Sequence, residues 1–383
     1  MEMKNLRQKI NEKAKQEGLD IVERSSTVSW LYPGQFAYCL NEEFIWDRFG
    51  SFIDIPESIH FHKIQPVIRW DDFIRHFQGS SSIPVERDGS HLASFDMTTI
   101  TGGHIVSRQE HERYSREAFK GIIEFLTSFG LRKENFEITF FPGARLSEIG
   151  KGRNGFQKYA FEFEFPEDRE AKESFLEVGL QESQIKPDSS RNCFLIPNWI
   201  CGEVAPWGYR NEINYKTSQG LVDIATIERL SLRPIRQENE IVGVEDWDKV
   251  FVISGTGLER LSMIENGLNK IQDVDNIKPL YDFVSSRGYE NPDLICESVR
   301  IAGRLIADTG GNMIDKKSPK TADERKKKYN RVLRNLCSID DNGLLEMFRI
   351  NAEINPWYPE LRSSIGAVLE QIKSYRERSN MRK

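Results

Sequence analysis

Residues 250–268 read "VFVISGTGLERLSMIENGL": an apolar run suited to a strand, then Gly255-Thr256-Gly257, then Leu-Glu-Arg opening a helical pattern. Glycines at a strand-to-helix junction allow a phosphate close to backbone N–H groups. This stretch has neither a Walker lysine nor the third glycine of a dinucleotide fingerprint, so the rest of a nucleotide site must come from elsewhere in the chain. Two stretches offer it. In "VIRWDDF", Arg69 and Asp71 fall on the same side of an expected strand, and after a polar loop "HLASFDM" supplies His91 and Phe95. A guanidinium such as Arg69 or Arg260 can grip phosphate oxygens through charge-assisted bonds or cover one face of a base, and Phe95 can stack on the other face.

These residues need elements to hold them. Leu6, Ile10 and Ala14 are spaced for one face of an opening helix, with Gly18 as its stop. From 20 to about 101, short apolar runs broken by Pro33-Gly34, Pro56 and "QGSSSIPVERDGS" predict strands and loops. Ser107 to Glu110 has the form of a capping box ahead of a helix carrying Ala118, Ile122, Phe125 and Phe129. Strands are expected in "NFEITFF", in "KYAFEFEF" with its period-two alternation, and through 191–253. From Asn291 onward almost everything reads as helix. The expected fold is α+β, an antiparallel sheet with flanking helices over residues 1–285, followed by an all-helical domain over 286–383.

The bulk numbers exclude several classes. With 383 residues, 38% hydrophobic and 29% charged, the chain has the composition of a soluble globular protein. A net charge of −6 argues against broad nonspecific nucleic-acid binding, while leaving room for a local basic face. No apolar run reaches the roughly 20 residues that span a bilayer. The opening "MEMKNLRQKINEKAKQEG" is too charged for a signal peptide, so the cytoplasm and no membrane partner are expected. Five widely spaced cysteines without a C-x-x-C pair, and only His60-Phe-His62 as a close histidine pair, argue against a disulfide framework or a structural metal.

The pattern Ile68-Arg69-Trp70-Asp71, loop, His91-x-x-x-Phe95, and a distant Gly255-x-Gly257-Leu-Glu-Arg260 resembles motifs 2 and 3 of the class II aminoacyl-tRNA synthetases. Within that family the chain looks most like the alanyl type. "NWICGEVAPWGYRNEI" (198–213) is similar to its F-W-x-M-G-D-x-G-P-C-G-P-C-[ST]-E-I signature, and "VISGTGLER" to its V-D-T-G-M-G-L-E-R. "LIADTGGNM", "VLRNL" and "YPELR" match family segments in order. The resemblance implies a class II synthetase-type sheet that activates an amino acid with ATP and Mg²⁺ as the aminoacyl-adenylate. It places Arg69, Asp71, His91, Phe95, Gly255, Gly257 and Arg260 around ATP, with Arg69 and Arg260 the catalytic pair. It places Trp199, Gly202, Glu203, Trp207, Asp223 and Ile253 around the amino acid. The helical domain would meet the tRNA acceptor stem, with Arg325, Lys326, Lys327, Lys328, Arg331 and Arg334 as contact candidates.

Departures from the family matter as much. The family's acid in V-D-T-G, which faces the substrate ammonium, falls on Ile253, and an aliphatic side chain cannot pair with a buried amine. Either Glu203 or Asp223 takes over, or the amino group sits differently. Trp207 and Arg210 stand where the signature has small cysteines, which reshapes the pocket. "DERKKKYNR" replaces N-E-x-R-G-Y, and the family's editing site, with its His-x-x-x-His, has no counterpart. A short paralogue that loads tRNA or acylates a small-molecule acceptor is therefore expected, with a catalytically silent tRNA- or protein-binding regulator as the alternative. Taken singly, each residue also has an ordinary reading: Arg69 a surface charge, His91 a loop histidine, Phe95 and Trp199 packing, Arg260 an ion-pair partner, the lysine run a solvated helix face.

Overall fold

The structure, a computed structural model, describes residues 1–29, 31–32, 34–37, 40–77, 91–149, 159–190, 192–196, 204–218, 220–238, 240–310 and 319–381. In chain order its elements begin with α1 (Met3–Gln16), β1 (Asp20–Val22), α2 (Glu42–Phe49), β2 (Ile59–Ile68), the short α3 (Trp70–Asp72), β3 (Ser94–Thr98), β4 (Gly103–Ser107) and α4 (His111–Ser128). Then come β5 (Phe136–Phe140), β6 (Ala144–Arg145), β7 (Glu164–Phe165), α5 (Arg169–Glu177), β8 (Ile185–Pro187), β9 (Phe194–Leu195), β10 (Trp207–Thr217), β11 (Gly220–Gln237), β12 (Glu240–Gly257) and α6 (Leu258–Glu265). The chain ends in α7 (Lys278–Ser286), α8 (Pro292–Thr309), α9 (Pro319–Leu336), α10 (Asp341–Glu353), α11 (Glu360–Ser363) and α12 (Ile365–Asn380).

The fold is α+β. Among the described residues one sheet of ten strands runs β1-β2-β3-β12-β11-β10-β5-β8, with β4 bridging β12 and β2 and β9 on β10. Its centre is antiparallel, but β1 on β2 and β5 on β8 are parallel, so the sheet is mixed rather than wholly antiparallel. One face is covered by α1, α4 and α6: Leu6, Ile10, Phe119, Ile122, Leu258 and Leu261 share a core with the sheet's Ile213, Ile227 and Val252. On the other face Leu31, Tyr32, Ile45 and Phe52 pack against Phe61, Leu230, Phe251 and Ile253, leaving the neighbouring part of that face to polar residues. The alternation along β12 produces both layers, with Val250 and Val252 toward the helices and Phe251 and Ile253 away.

Two local expectations change. Ser107 and Glu110 do not cap α4: the Ser107 hydroxyl bonds the Glu110 carboxylate at 2.6 Å, closing a turn of its own, and the helix begins at His111. Among the described residues of "KYAFEFEF", 159–165, only Glu164 and Phe165 are strand; Tyr159, Phe161 and Phe163 instead pack as partly buried rings around Phe194 and Trp207. Packing of aromatic rings satisfied the alternation without a ladder.

The helical region is built mainly around one cluster, with residues such as Leu280, Val299, Leu305, Leu333 and Phe348, and a smaller one of Ala352, Tyr358 and Leu361. It packs directly on the end of the sheet, because Phe36, Ile68, Trp70, Phe73 and Ala93 belong to the larger cluster. Asn291 accepts from the Leu294 N–H at 3.1 Å and Pro292 occupies the first turn, which starts α8 where the sequence places it.

Burial holds two histidines neutral. Both His62 and His104 are pushed down to about 4 from the ordinary 6.5. A histidine with a depressed folded pKa stabilises the native state above its unfolded value and loses that contribution as pH falls through the folded one. Urea unfolding at pH 7 and pH 4.5 should therefore show a loss on the order of 2–3 kcal/mol per ring over that window. A His104→Gln variant should show a shallower fall than the parent, and an equal fall would contradict the assignment.

Candidate functional site

The polar face of the sheet is organised in rows across β12, β11 and β10. Ile253 pairs with Glu228, which pairs with Arg210; one step along, Gly255 pairs with Thr226, which pairs with Glu212. A register shift after Ile213 leaves Ile224 unpaired, so that Val222 and Ile224 both enter the helix-covered core while Asp223, Thr226 and Glu228 share the other face. Arg210 joins two rows: its Nη2 lies 3.0 Å from Glu212 and its Nε 3.7 Å from Glu228.

Burial, opposed by Arg210 and reinforced by Asp223 and Glu228, raises Glu212 to about 8. Glu228 is raised too, mainly by burial, with Arg210 and Arg69 pulling the other way and Glu42 adding to it. Arg69 thus acts on both glutamates through space.

Arg69 is not on a strand. It follows β2 as the N-cap of α3, its N–H donating to the Ala93 carbonyl at 2.8 Å and its carbonyl accepting from Phe73 at 3.1 Å. Asp71 consequently lies in α3 with an exposed side chain, and does not share a strand face with Arg69. The Arg69 guanidinium lies over the Phe95 ring, 5.2 Å from its centroid. Phe95 is half-buried on β3, and His91, also half-buried, lies three residues before that strand.

The stretch "GTG" is not a loop. It continues β12, with Thr256 opposite Thr98 and Gly257 opposite Met97, and Gly257 then caps α6. Gly257 has φ −80° and ψ 117°, which any residue can adopt. A Cβ there would lie at ordinary contact distance, 3.6 Å, from Cδ2 and Cε2 along one edge of the Phe95 ring, filling space that glycine leaves open. Arg260 stands in the first turn of α6, its Nη1 donating to both the carbonyl and the carboxylate of Asp223 at 3.1 Å. Next to it Glu259 is structural: buried, it accepts from the Asp96 N–H at 3.0 Å and pairs with Arg300 at 3.6 Å.

The structure thus brings together Arg69, Phe95, Gly257 and, through Glu212, Asp223 and Arg260. Such an arrangement can stack a flat ring against Phe95, hold anionic oxygens with Arg69 and Arg260, and present carboxylates to a cation. Glu212 and Glu228 are missing from the sequence-derived set as acids of the pocket. Their signal was the alternation of charged residues along β10 and β11, legible only once the register is known.

Other expected residues fall elsewhere. Trp207 is fully buried with Phe194 and Phe165, its ring 5.2 Å from Tyr159, and strand alternation turns it away from Arg210 and Glu212; it supports the sheet and does not line a pocket beside them. Ile253 lies in the apolar cluster with Phe61 and Ile105, in the row of Glu228. Trp199, Gly202 and Glu203 lie outside the described residues. Arg325 is not an RNA contact: it is 1% exposed and donates to the carbonyls of Gln35, Ser29 and Tyr32. Lys328 is half-buried and bonds the Gln35 side chain, whereas Lys326, Lys327, Arg331 and Arg334 are exposed on α9.

Among the described residues no group of three or more histidine, cysteine or acidic side chains is placed to hold a metal ion, and no helix is long and apolar enough to cross a membrane. No protein-family model matches the chain, and no curated protein matches it. Among solved structures it is similar to pyrrolysyl-tRNA synthetase PylSc of Desulfitobacterium hafniense, at 14% identity and a TM-score of 0.32 over 70% of this chain and 71% of that one. A second structure of pyrrolysyl-tRNA synthetase from that organism gives 14% identity and a TM-score of 0.33 over 71% and 72% of the two chains. Overlap at this level carries no argument about fold or activity, and the functional reading rests on the residues themselves.

Proposed function

We propose that this chain is a class II synthetase-like, AMP-forming ligase that activates an amino acid with ATP and passes the acyl group to tRNA or to a small-molecule acceptor. The observation that carries the reading is Arg69 lying over Phe95, with Gly257 against the same ring and Arg260 one turn further along. In the proposed reaction a carboxylate oxygen of the amino acid attacks the α-phosphorus of ATP, the bond to the β-phosphate breaks, and pyrophosphate leaves with the electron pair. Arg69 stabilises the charge that develops on the α-phosphate oxygens, where a fixed guanidinium needs no reorganisation. Phe95 stacks one face of the adenine, and Arg260, steered by Asp223, covers the other. Asp71 and His91 stay in the proposal at its rim, toward the adenine amino group and the distal phosphates.

Mg²⁺ arriving with ATP supplies charge neutralisation at the phosphates when bound. Asp223 is the carboxylate beside the arginine cluster that would suit it, since Mg²⁺ takes one or two such oxygens together with phosphate. In the same proposal residues 1–285 form the catalytic domain and 286–383 an acceptor-binding domain. Lys327, Arg331 and Arg334 form a stripe at helical spacing on α9, with Lys326 beside it, suited to backbone phosphates of an RNA acceptor.

Gly257→Ala tests the nucleotide half of the site. Its methyl group would stand against the edge of Phe95 beside the proposed adenine position, so KM for ATP should rise about tenfold, about 1.4 kcal/mol of binding, with thermal stability unchanged. The whole reading is tested by amino-acid-dependent ATP–pyrophosphate exchange with each proteinogenic amino acid in turn. Exchange with one or a few supports it; ATP binding without exchange for any of them favours the silent regulator.

A further inference from the structure

The acid expected at position 253 is absent, yet the face of the sheet that Ile253 shares carries three carboxylates, those of Glu212, Asp223 and Glu228. Asp223 is met by Arg260, and Arg210 is shared between Glu212 and Glu228. Arg69 is drawn toward Phe95 and, on the reading above, to phosphate. Glu212 therefore has only half of its carboxylate engaged. Oε1 faces Arg210, while Oε2 is buried and has no hydrogen-bond partner among the described residues. A buried carboxylate oxygen without a donor is destabilising and is the kind of group that a ligand completes. Glu228 lies one row away, directly across the ladder from Ile253.

We propose that Glu212 receives the ammonium group of the substrate amino acid, with Glu228 as the second acid of the pocket, the duty having moved from position 253 of β12 to the two adjoining strands. This rests on the amino-acid-activation reading and deepens it. An ammonium supplies the donor that Oε2 lacks, on the face where Thr226 stands between Glu212 and Gly255. The substrate's carboxylate then points along the sheet toward Arg69, where the α-phosphate is to be attacked. Ile253 closes the neighbouring row, that of Glu228, with an apolar side chain, so the acid and the aliphatic residue have exchanged strands.

The test is ATP–pyrophosphate exchange by the full chain and by Glu212→Gln, first with each proteinogenic amino acid and then, for the one activated, with its deamino carboxylic acid as competitor. Glutamine is close in shape and mimics the protonated acid, so the fold should survive; Glu228→Gln, read the same way, should show a smaller change. The expected result is a rise of about 100-fold in KM for the amino acid in Glu212→Gln, typical of losing a charge-assisted bond, with KM for ATP within about twofold. Inhibition by the deamino acid should be unchanged, since it never engaged Glu212. An unchanged KM for the amino acid, or equal losses for amino acid and ATP, would overturn the assignment while leaving activation standing. No exchange by the parent with any amino acid would instead overturn the activation reading, and this assignment with it.

Discussion

Replacing Arg69 by alanine should lower amino-acid-dependent ATP–pyrophosphate exchange about 10²- to 10³-fold, the usual loss when one preorganised donor to a developing charge is removed. The loss should fall mainly on kcat, because a guanidinium that acts on charge developing at the α-phosphate contributes more in the transition state than in the ground state. The fold should be nearly indifferent. The hydrogen bonds that fix this turn, Arg69 N–H to Ala93 and Phe73 N–H to Arg69, are made by the backbone and survive the change. The cation–π pair with Phe95 disappears, worth about 0.5–1 kcal/mol, together with the through-space attraction to Glu212 and Glu228. Arg69→Lys should recover little, since an ammonium cannot reproduce the planar fork. Equal losses of activity and stability would point to a structural arginine.

The second large effect is expected far from the reacting atoms. Glu297 of α8 is 2% exposed, and one of its oxygens accepts from the N–H groups of Ala93 and Ser94 at 2.7 and 2.9 Å, while the other pairs with buried Arg300. Those two residues lead directly into Phe95, so a helix of the C-terminal region holds the strand that carries the stacking ring. Glu297→Ala would strand two buried donors and leave Arg300 with Glu259 as its remaining carboxylate partner, and removing one partner of a buried pair costs about 3–5 kcal/mol. A urea midpoint lowered accordingly is expected, with KM for ATP raised in whatever folded fraction remains. Glu297→Gln keeps one acceptor and should lose clearly less. A midpoint equal to the parent's would show that the clamp is not what seats β3.

Much of this site was legible in one dimension. Arg69, Phe95, Gly255, Gly257 and Arg260 stand in local patterns whose spacing survives into the structure, because each sits at the end of an element, where a few residues decide the geometry. What escaped is what only a sheet can assemble. Glu228 is 25 residues from Ile253 and becomes its neighbour through the β11–β12 ladder, and a bulge at Ile224 sets which acids share a face. Arg325 misled for the complementary reason: a basic run reads as a solvated face, yet three carbonyls of the segment before α2 wait for one of its members. Asp71 was displaced because the chain turns into a helix straight after Ile68, which ends the strand one residue before Arg69.

Incubation of the full chain with ATP, Mg²⁺, pyrophosphatase and each amino acid in turn, followed by mass spectrometry of the protein-bound and acid-quenched products, tests the central claim most directly. The account predicts AMP release together with the mass of one aminoacyl-adenylate, abolished in Arg69→Ala and weakened in Glu212→Gln. ADP as the nucleotide product, or no adenylate with any amino acid, would contradict it.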